Sequence, residues 1–132
     1  MTDIRYPFPK AELHLHLDGS IPPETMWELA KKEHAELPTP TLEEFRTWLK
    51  VTSDCSSVNE YLERFELPLQ LLQKKENLSL VTESLIDVLA GPGYGLAKIR
   101  FAPQLHVRNG LTQRDAVEAV LAGQEAGLKK HP

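Results

Sequence analysis

The sequence predicts an α/β fold in which β/α units build a parallel sheet. Two segments alternate polar and apolar residues, at about 10–17 and about 96–103, and helical patterns occupy the chain between and after them. Strand, helices, strand, helix is the order typical of a parallel α/β sheet. Two strands cannot form that sheet alone, because a parallel pair needs both faces and both edges covered. We therefore expect the first two β/α units of a longer fold.

Composition limits the function classes. The 132 residues have the length of one ordinary domain. The sequence contains 15 Lys and Arg residues and 19 Asp and Glu residues, and the basic residues form no cluster. We therefore expect no nucleic-acid partner. No segment approaches the roughly 18 apolar residues of a membrane span, so no membrane partner is expected either. The single cysteine, Cys55, excludes an intrachain disulfide and a Cys-rich zinc site, and it favours a cytoplasmic location.

The first strand carries two histidines one residue apart. Side chains at i and i+2 of a strand point the same way, about 7 Å apart. His14 and His16 can therefore converge on one metal ion at about 2.0–2.1 Å per nitrogen, although two ligands do not complete a site. A half-exposed strand whose polar face meets water is the simpler alternative. The alternating residues are polar Lys10, Glu12, His14, His16 and Asp18, and apolar Ala11, Leu13, Leu15 and Leu17.

A helical insertion is expected over about residues 22–90. Thr41 to Glu44 and Ser57 to Glu60 both have the capping-box pattern that opens a helix. Pro68 is expected to kink or end the helix that follows the second box. A further helix is expected from about 77 to 90.

The second strand, about 96–103, places Ala97, Ile99 and Phe101 on one face. A capping box from Thr112 to Asp115 then opens a helix expected over about 113–126, with Gly127 as its C-terminal cap.

Charged residues on the two strands predict one structural contact. Glu12 and Arg100 lie on the polar faces of strands that would be neighbours, and a buried charge is costly unless it is paired. We expect an ion pair between them, with Lys98 as the rival partner of Glu12.

The segment PKAELHLHLDGSIPPE, residues 9–24, resembles the opening of the adenosine deaminase family of metal-dependent amidohydrolases. Arg100 to Pro103 resembles the Arg-aromatic-small-Pro segment of that family's second strand. The resemblance implies the N-terminal part of a (β/α)₈ barrel with a helical insertion between its first two strands, roughly 40 per cent of a member's length.

The resemblance also implies a site. His14 and His16 would be two ligands of one zinc ion, His16 would also lie against a nucleoside, and Asp18 would bind a ribose hydroxyl. Asp18 with Gly19 could instead serve only as a turn. The remaining implied pocket residues, some of which could be ordinary helix-packing residues, are Val58, Tyr61, Leu62, Phe65 and Leu105. The family's acid and base residues and its other metal ligands would lie beyond Pro132, and His106 and His131 cannot replace them.

The activity implied by the resemblance is zinc-dependent hydrolysis of adenosine or deoxyadenosine to inosine or deoxyinosine. We expect the 132-residue chain to be inactive alone. A related deaminase acting on adenine or a modified adenine nucleotide is the alternative within the fold. An alternative of another class is a non-catalytic truncated fragment or an oligomerising binding module. Uncovered strand edges and apolar helix flanks predict self-association or aggregation.

Overall fold

The computed structural model describes residues 10–49, 66–91 and 94–131. Within these ranges two parallel strands form one sheet and helices pack beside it, so the predicted α/β class is confirmed. In chain order the elements are β1 (Lys10–His16), α1 (Pro23–Lys32), α2 (Leu42–Leu49), α3 (residues 66–71), α4 (Lys75–Ala90), β2 (Tyr94–Arg100), a 3-10 turn (Pro103–His106) and α5 (Gln113–Lys130).

The sheet contains a bulge beside the histidine pair. Glu12 pairs with Ala97 and Leu15 pairs with Ile99, so two residues of β1, Leu13 and His14, lie opposite the single residue between those partners. An extra residue interrupts the pleat and increases the local twist. The expectation of strict alternation along β1 is therefore wrong at this point, and Leu13, predicted to lie on the apolar face, is 56% exposed.

The predicted ion pair between Glu12 and Arg100 does not form. Within the described ranges, no ion pair joins Glu12 to Arg100 or to Lys98. The register gives the reason, because Arg100 lies opposite His16 and Glu12 lies opposite Ala97, on the other side of the bulge. A side-chain oxygen of Glu12 instead accepts a hydrogen bond from the backbone N–H of His14 at 3.3 Å.

The structure differs from the sequence predictions at three prolines or glycines. β2 ends at Arg100 rather than near 103, because Pro103 lacks the N–H that a strand ladder needs and opens the 3-10 turn instead. Pro68 lies inside the helical residues 66–71 and accepts a hydrogen bond from the N–H of Leu72 at 3.0 Å. α5 continues past 126 to Lys130, and Gly127 is a buried interior residue of this helix rather than its cap.

The core lies between the helices of the insertion and the end of β1. Phe45 of α2 is fully buried and packs against Trp27 of α1, with ring centroids 5.4 Å apart. Leu17, directly after β1, is also fully buried and belongs to the same cluster. Full burial of a leucine side chain contributes about 1.5–3 kcal/mol, so this contact fixes the end of the strand that carries the histidines.

Helices α4 and α5 pack closely. The capping box that opens α5 is confirmed, because Thr112 and Asp115 exchange side-chain to backbone hydrogen bonds of 3.0 Å in both directions. The buried residues of α5 are all small: Ala116, Ala119, Gly123 and Gly127. The hydroxyl of Ser79 in α4 donates to the carbonyl oxygen of Ala119 at 2.7 Å. None of the described helices is long and apolar enough to cross a membrane.

Candidate active site

The two histidines of β1 converge. The Nε2 atoms of His14 and His16 lie 3.1 Å apart, and their ring centroids are 5.0 Å apart with the planes inclined at 65°. Both side chains are exposed, away from the leucines of the core. The two imidazoles therefore present their outer nitrogens to the same point in space.

The separation of the two nitrogens suits a shared metal ion. Zinc lies about 2.0–2.1 Å from a histidine nitrogen. For an ion bound to both Nε2 atoms, which are 3.1 Å apart, the N–Zn–N angle would therefore be roughly 100°. That angle is compatible with tetrahedral or five-coordinate zinc. The same separation also permits one hydrogen bond between the rings when only one Nε2 carries a proton. The donor set therefore fits zinc without requiring it.

The turn after β1 is fixed on both sides of the strand end. The N–H of Leu17 donates to the carbonyl oxygen of Arg100 at 2.7 Å, which continues the ladder one residue past the strand. The N–H of Ser20 donates back to the carbonyl oxygen of Leu17 at 3.2 Å. Asp18 lies between these bonds and is half-buried. The backbone that carries Asp18 is thus held just after the C-terminal end of β1, two residues from His16 in sequence.

The histidine pair would supply only two ligands of a metal site. Zinc sites use three or four protein ligands. Across residues 10–49, 66–91 and 94–131, no group of three or more His, Cys, Asp or Glu side chains could hold a metal ion. His106 and His131 do not join the pair, since they bond to Leu72 and Asp87 respectively.

The 3-10 turn after β2 lies at the same edge of the sheet as the histidine pair, because parallel strands end at the same edge. Leu105 in this turn is 41% exposed, whereas its neighbour His106 is 1% exposed. His106 Nδ1 lies 3.0 Å from the carbonyl oxygen of Leu72, so this nitrogen donates and carries the proton. Burial is the largest cause of the lowered pKa of His106, and the charge of Arg108 also lowers it, whereas the bond to Leu72 and the charge of Asp18 raise it. His106 is therefore held neutral near Asp18.

Sequence reasoning missed Gln73. Its side chain is 4% exposed and lies between the end of α3 and the 3-10 turn. The Nε2 atom donates to the carbonyl oxygens of Leu69 at 2.7 Å and Leu105 at 2.9 Å, and Oε1 accepts from the backbone N–H of Arg108 at 2.9 Å. A glutamine between two helices carries no pattern that predicts such a role, because two of its three partners, Leu105 and Arg108, are more than 30 residues away in sequence.

Four of the predicted pocket residues lie outside the described residues. They are Val58, Tyr61, Leu62 and Phe65. The described site residues are His14, His16, Asp18 and Leu105, and all four lie at or just after the C-terminal ends of the two strands.

Solved structures show the fold to which this arrangement belongs. The crystal structure of adenine deaminase from Arthrobacter aurescens superposes with a TM-score of 0.75 at 27% identity, over 92% of this chain and 36% of that one. The apo structure of the N6-methyl-AMP deaminase from Arabidopsis thaliana gives 0.68 at 25% identity, over 89% of this chain and 33% of that one. The fold and the site together define the N-terminal part of a (β/α)₈ barrel with an imidazole pair at the end of its first strand.

The chain belongs to the adenosine deaminase family, a family of hydrolases, since the family model for adenosine deaminase matches residues 9–131. An adenosine deaminase of Haemophilus ducreyi is 50% identical over 117 residues, which are 89% of this chain and 34% of that protein. An adenosine deaminase of Clostridium acetobutylicum is 43% identical over 122 residues, which are 92% of this chain and 36% of that protein. The chain thus spans about a third of the length of these relatives.

Proposed function

We propose that this chain supplies the N-terminal part of the active site of a zinc-dependent adenosine deaminase. The reaction is hydrolysis of adenosine or deoxyadenosine with water to inosine or deoxyinosine and ammonia. The observation that carries the proposal is the 3.1 Å separation of the His14 and His16 Nε2 atoms at the C-terminal end of β1. Active sites of (β/α)₈ barrels lie at that end of the strands.

In this proposal His14 and His16 hold zinc through their Nε2 atoms, together with ligands from the rest of the barrel. Bound zinc supplies Lewis acidity, since it lowers the pKa of water from about 15.7 to about 7 and so provides hydroxide at neutral pH. His16 also packs against the nucleoside. Asp18 accepts a hydrogen bond from a ribose hydroxyl, and its half-buried position in a fixed turn supports this role.

The apolar part of the pocket follows from the same proposal. Leu105 is the exposed apolar side chain of the 3-10 turn, and it would contact the nucleoside. The insertion would cover the pocket through Val58, Tyr61, Leu62 and Phe65. The groups that move protons to and from the substrate would come from strands after residue 132, so the 132 residues would not turn over substrate by themselves.

Adenine or a modified adenine nucleotide is a second candidate substrate. The two solved structures described above are named as an adenine deaminase and an N6-methyl-AMP deaminase. Their identity to this chain, 25–27%, is lower than the 43–50% of the adenosine deaminases. The higher identity supports adenosine as the first candidate.

Self-association of the isolated chain is a further part of the proposal. Helices α4 and α5 and strand β2 enclose an apolar groove of about 480 Å³. Leu96 of β2 and Leu121 and Leu128 of α5 line this groove and are exposed. Exposed apolar surface of this kind favours association.

We also propose a cytoplasmic location, which the single cysteine supports because disulfide-rich chains are typical of oxidising compartments. Cell fractionation tests this, and recovery of the protein in a secreted or periplasmic fraction would contradict it.

A chimeric enzyme tests the activity. The 132 residues replace the matching third of the Haemophilus ducreyi adenosine deaminase, and ammonia release is measured from adenosine, deoxyadenosine, adenine and AMP. We expect release from the two nucleosides and one zinc per chain. The isolated 132-residue chain, assayed beside the chimera, is expected to release no ammonia.

Substitution of the histidines provides the matched controls. His14→Ala and His16→Ala each remove one zinc ligand and should reduce kcat/KM by at least about a thousandfold with loss of zinc. His34→Ala, an exposed histidine after α1, should leave both unchanged. A folded chimera that retains zinc and activity after His16→Ala would overturn the proposal.

A further inference from the structure

Three successive attachments hold the segment after β2 against residues 72–73, which lie between α3 and α4 of the helical insertion. The carbonyl oxygen of Leu105 accepts from Gln73 Nε2, His106 Nδ1 donates to the carbonyl oxygen of Leu72, and the N–H of Arg108 donates to Gln73 Oε1. The side chains that make these bonds, Gln73 and His106, are both almost fully buried. Residues 105–108 are therefore fixed along their whole length.

Gln73 is the centre of this arrangement. Both of its N–H donors and its carbonyl oxygen are used, and its bond to Leu69 anchors the side chain to α3. Removing the Gln73 amide would leave the carbonyl oxygens of Leu69 and Leu105 and the N–H of Arg108 without their buried hydrogen-bond partner. Loss of a buried hydrogen-bond partner typically costs about 1–3 kcal/mol per group. The segment after β2 would then lose its defined position.

An ion pair at the surface adds to the same connection. Arg108 Nη1 lies 2.7 Å from Glu66 Oε1, and this contact lowers the pKa of Glu66. Both side chains are about half exposed, so the pair contributes little to stability. The buried amide of Gln73, rather than this pair, carries the connection.

The position of the fixed segment gives it a consequence for binding. Leu105 is held by its backbone while its side chain remains exposed, at the sheet edge where His14, His16 and Asp18 lie. We infer that Gln73 is a positioning residue that sets substrate affinity, because it holds Leu105 in place to contact the nucleoside and joins the insertion to the second strand. This inference rests on the proposed function, since it needs a nucleoside in the pocket.

The chimera described above, which contains the full barrel, tests this inference. Gln73→Met keeps the length of the side chain and removes all three hydrogen bonds. Gln73→Glu keeps the acceptor for Arg108 and removes both donors. Gln104→Met makes the same chemical change at an exposed position of the 3-10 turn and is the matched control. KM and kcat for adenosine, zinc content and hydrogen exchange of the Arg108 amide are measured for each variant.

We expect KM to rise about tenfold in both Gln73 variants, whereas kcat should stay within about twofold of the parent value and zinc content should not change. The reason is that Gln73 positions Leu105 against the substrate and does not touch the metal or the reacting atoms. Exchange of the Arg108 amide should accelerate in Gln73→Met and stay slow in Gln73→Glu. The Gln104→Met chimera should match the parent in all four measurements.

Two results would overturn the inference, and they differ from each other. A parent chimera that binds zinc but deaminates none of the four substrates refutes the proposed function and this inference together. A parent that is active, with Gln73 variants that are folded and show unchanged KM, refutes the inference alone. If Gln73→Met does not fold, the Gln73→Glu chimera decides by the same KM criterion.

Discussion

At the scale of single residues, two histidines of this chain differ through their surroundings. His14 is exposed beside His16, where an outer ring nitrogen is available to a metal ion. His106 is buried against Phe101, with ring centroids 5.9 Å apart, and donates to the carbonyl oxygen of Leu72. Burial lowers the pKa of His106, so it serves the fold in its neutral form.

The lowered pKa of His106 predicts a pH dependence of stability. The unfolded state binds a proton near the ordinary histidine pKa of about 6.5, whereas the folded state binds it only at lower pH. The contribution is therefore fully present above about pH 6.5 and decreases as pH falls below it. We expect the free energy of unfolding in urea to decrease between pH 7.5 and 5.5, a window above the titration of the carboxylates.

His106→Asn isolates this effect, because asparagine can still donate to Leu72 but does not titrate. We expect its free energy of unfolding to be lower than that of the parent at pH 7.5 and to change less between pH 7.5 and 5.5. His34→Asn, at an exposed position, should keep the slope of the parent. Equal slopes in the parent and His106→Asn would contradict the assignment.

The sequence alone was enough to predict part of the candidate site. The i, i+2 spacing of His14 and His16 was enough to predict their convergence, because the geometry of a strand relates such side chains directly. The ion pair between Glu12 and Arg100 was predicted wrongly, because it depended on the register across two strands and a bulge shifts that register. Gln73 was missed because its partners, Leu105 and Arg108, lie far away in sequence.

At the scale of elements, small residues decide how α4 and α5 pack. A Cβ atom at Gly123 would lie 2.8 Å from Thr82 Cβ and 2.9 Å from Ser79 Cα, and it would also meet the carbonyl oxygen of Ser79. At Gly127 the neighbours are the Cβ, Cγ2 and Cδ1 atoms of Ile86, each 2.9 Å away, of which rotation about χ1 moves Cγ2 and Cδ1 but not Cβ. Glycine at 123 is therefore required by the close approach of backbone atoms, and alanine there would force the helices apart.

Gly123→Ala should destabilise the fold by about 2 kcal/mol, because overpacking typically costs about 1–3 kcal/mol and here exceeds the gain of up to about 1 kcal/mol in helix propensity. Gly127→Ala should also destabilise the fold but cost less, since an added methyl there meets no backbone atom and part of the Ile86 side chain can rotate. Urea unfolding monitored by circular dichroism measures both.

Gly91→Ala is the matched control for this prediction. Gly91 follows α4 with φ −58° and ψ −50°, and a Cβ atom there would lie 3.6 Å from the carbonyl oxygen of Val88, an ordinary contact. This variant should be neutral or slightly stabilising. If Gly123→Ala were as stable as Gly91→Ala, the packing of α4 against α5 would differ from the one described.

At the scale of the whole molecule, the helical insertion holds much of the core, whereas one side of β2 faces the apolar groove. Phe45, Leu71, Leu78 and Val81 are buried within α2, α3 and α4. By contrast, Leu121 and Leu128 of α5 are 54% and 51% exposed beside β2. In a (β/α)₈ barrel, the strand that follows β2 pairs with it and is covered by neighbouring helices. The groove therefore lies beside β2, the strand with which the next strand of the family's fold would pair.

We expect the isolated chain to form dimers or larger species in sedimentation velocity as its concentration rises from micromolar to hundreds of micromolar. Leu121→Lys combined with Leu128→Lys should shift it toward monomer, because both substitutions place charge in the groove. Val88→Lys, at an exposed position of α4 outside the groove, should have no such effect. A parent chain that stays monomeric throughout would contradict this expectation.

The order of elements was predictable because hydrophobic periodicity and capping residues are local signals. Thr112 and Asp115 show this, since the capping box predicted from their spacing is formed. The last turn of α5 was not predictable from local signals, because a glycine ends many helices, whereas here Gly127 is buried inside the helix beside Ile86 of α4. The end of β2 was also placed wrongly, since the strand ends at Arg100 and not near Pro103.

The extra residue at Leu13 and His14 affects how the first strand tolerates change in length. Because side chains of a strand alternate with a period of two, deleting Leu13 would leave both imidazoles in register with β2 and turn the stretch from Lys10 to Glu12 over to the opposite face. Point substitutions from Lys10 to Glu12 do not change this register. A graft of β1 onto another sheet that is to keep Lys10 to Glu12 on their present faces should therefore copy the irregular spacing as well as the two histidines.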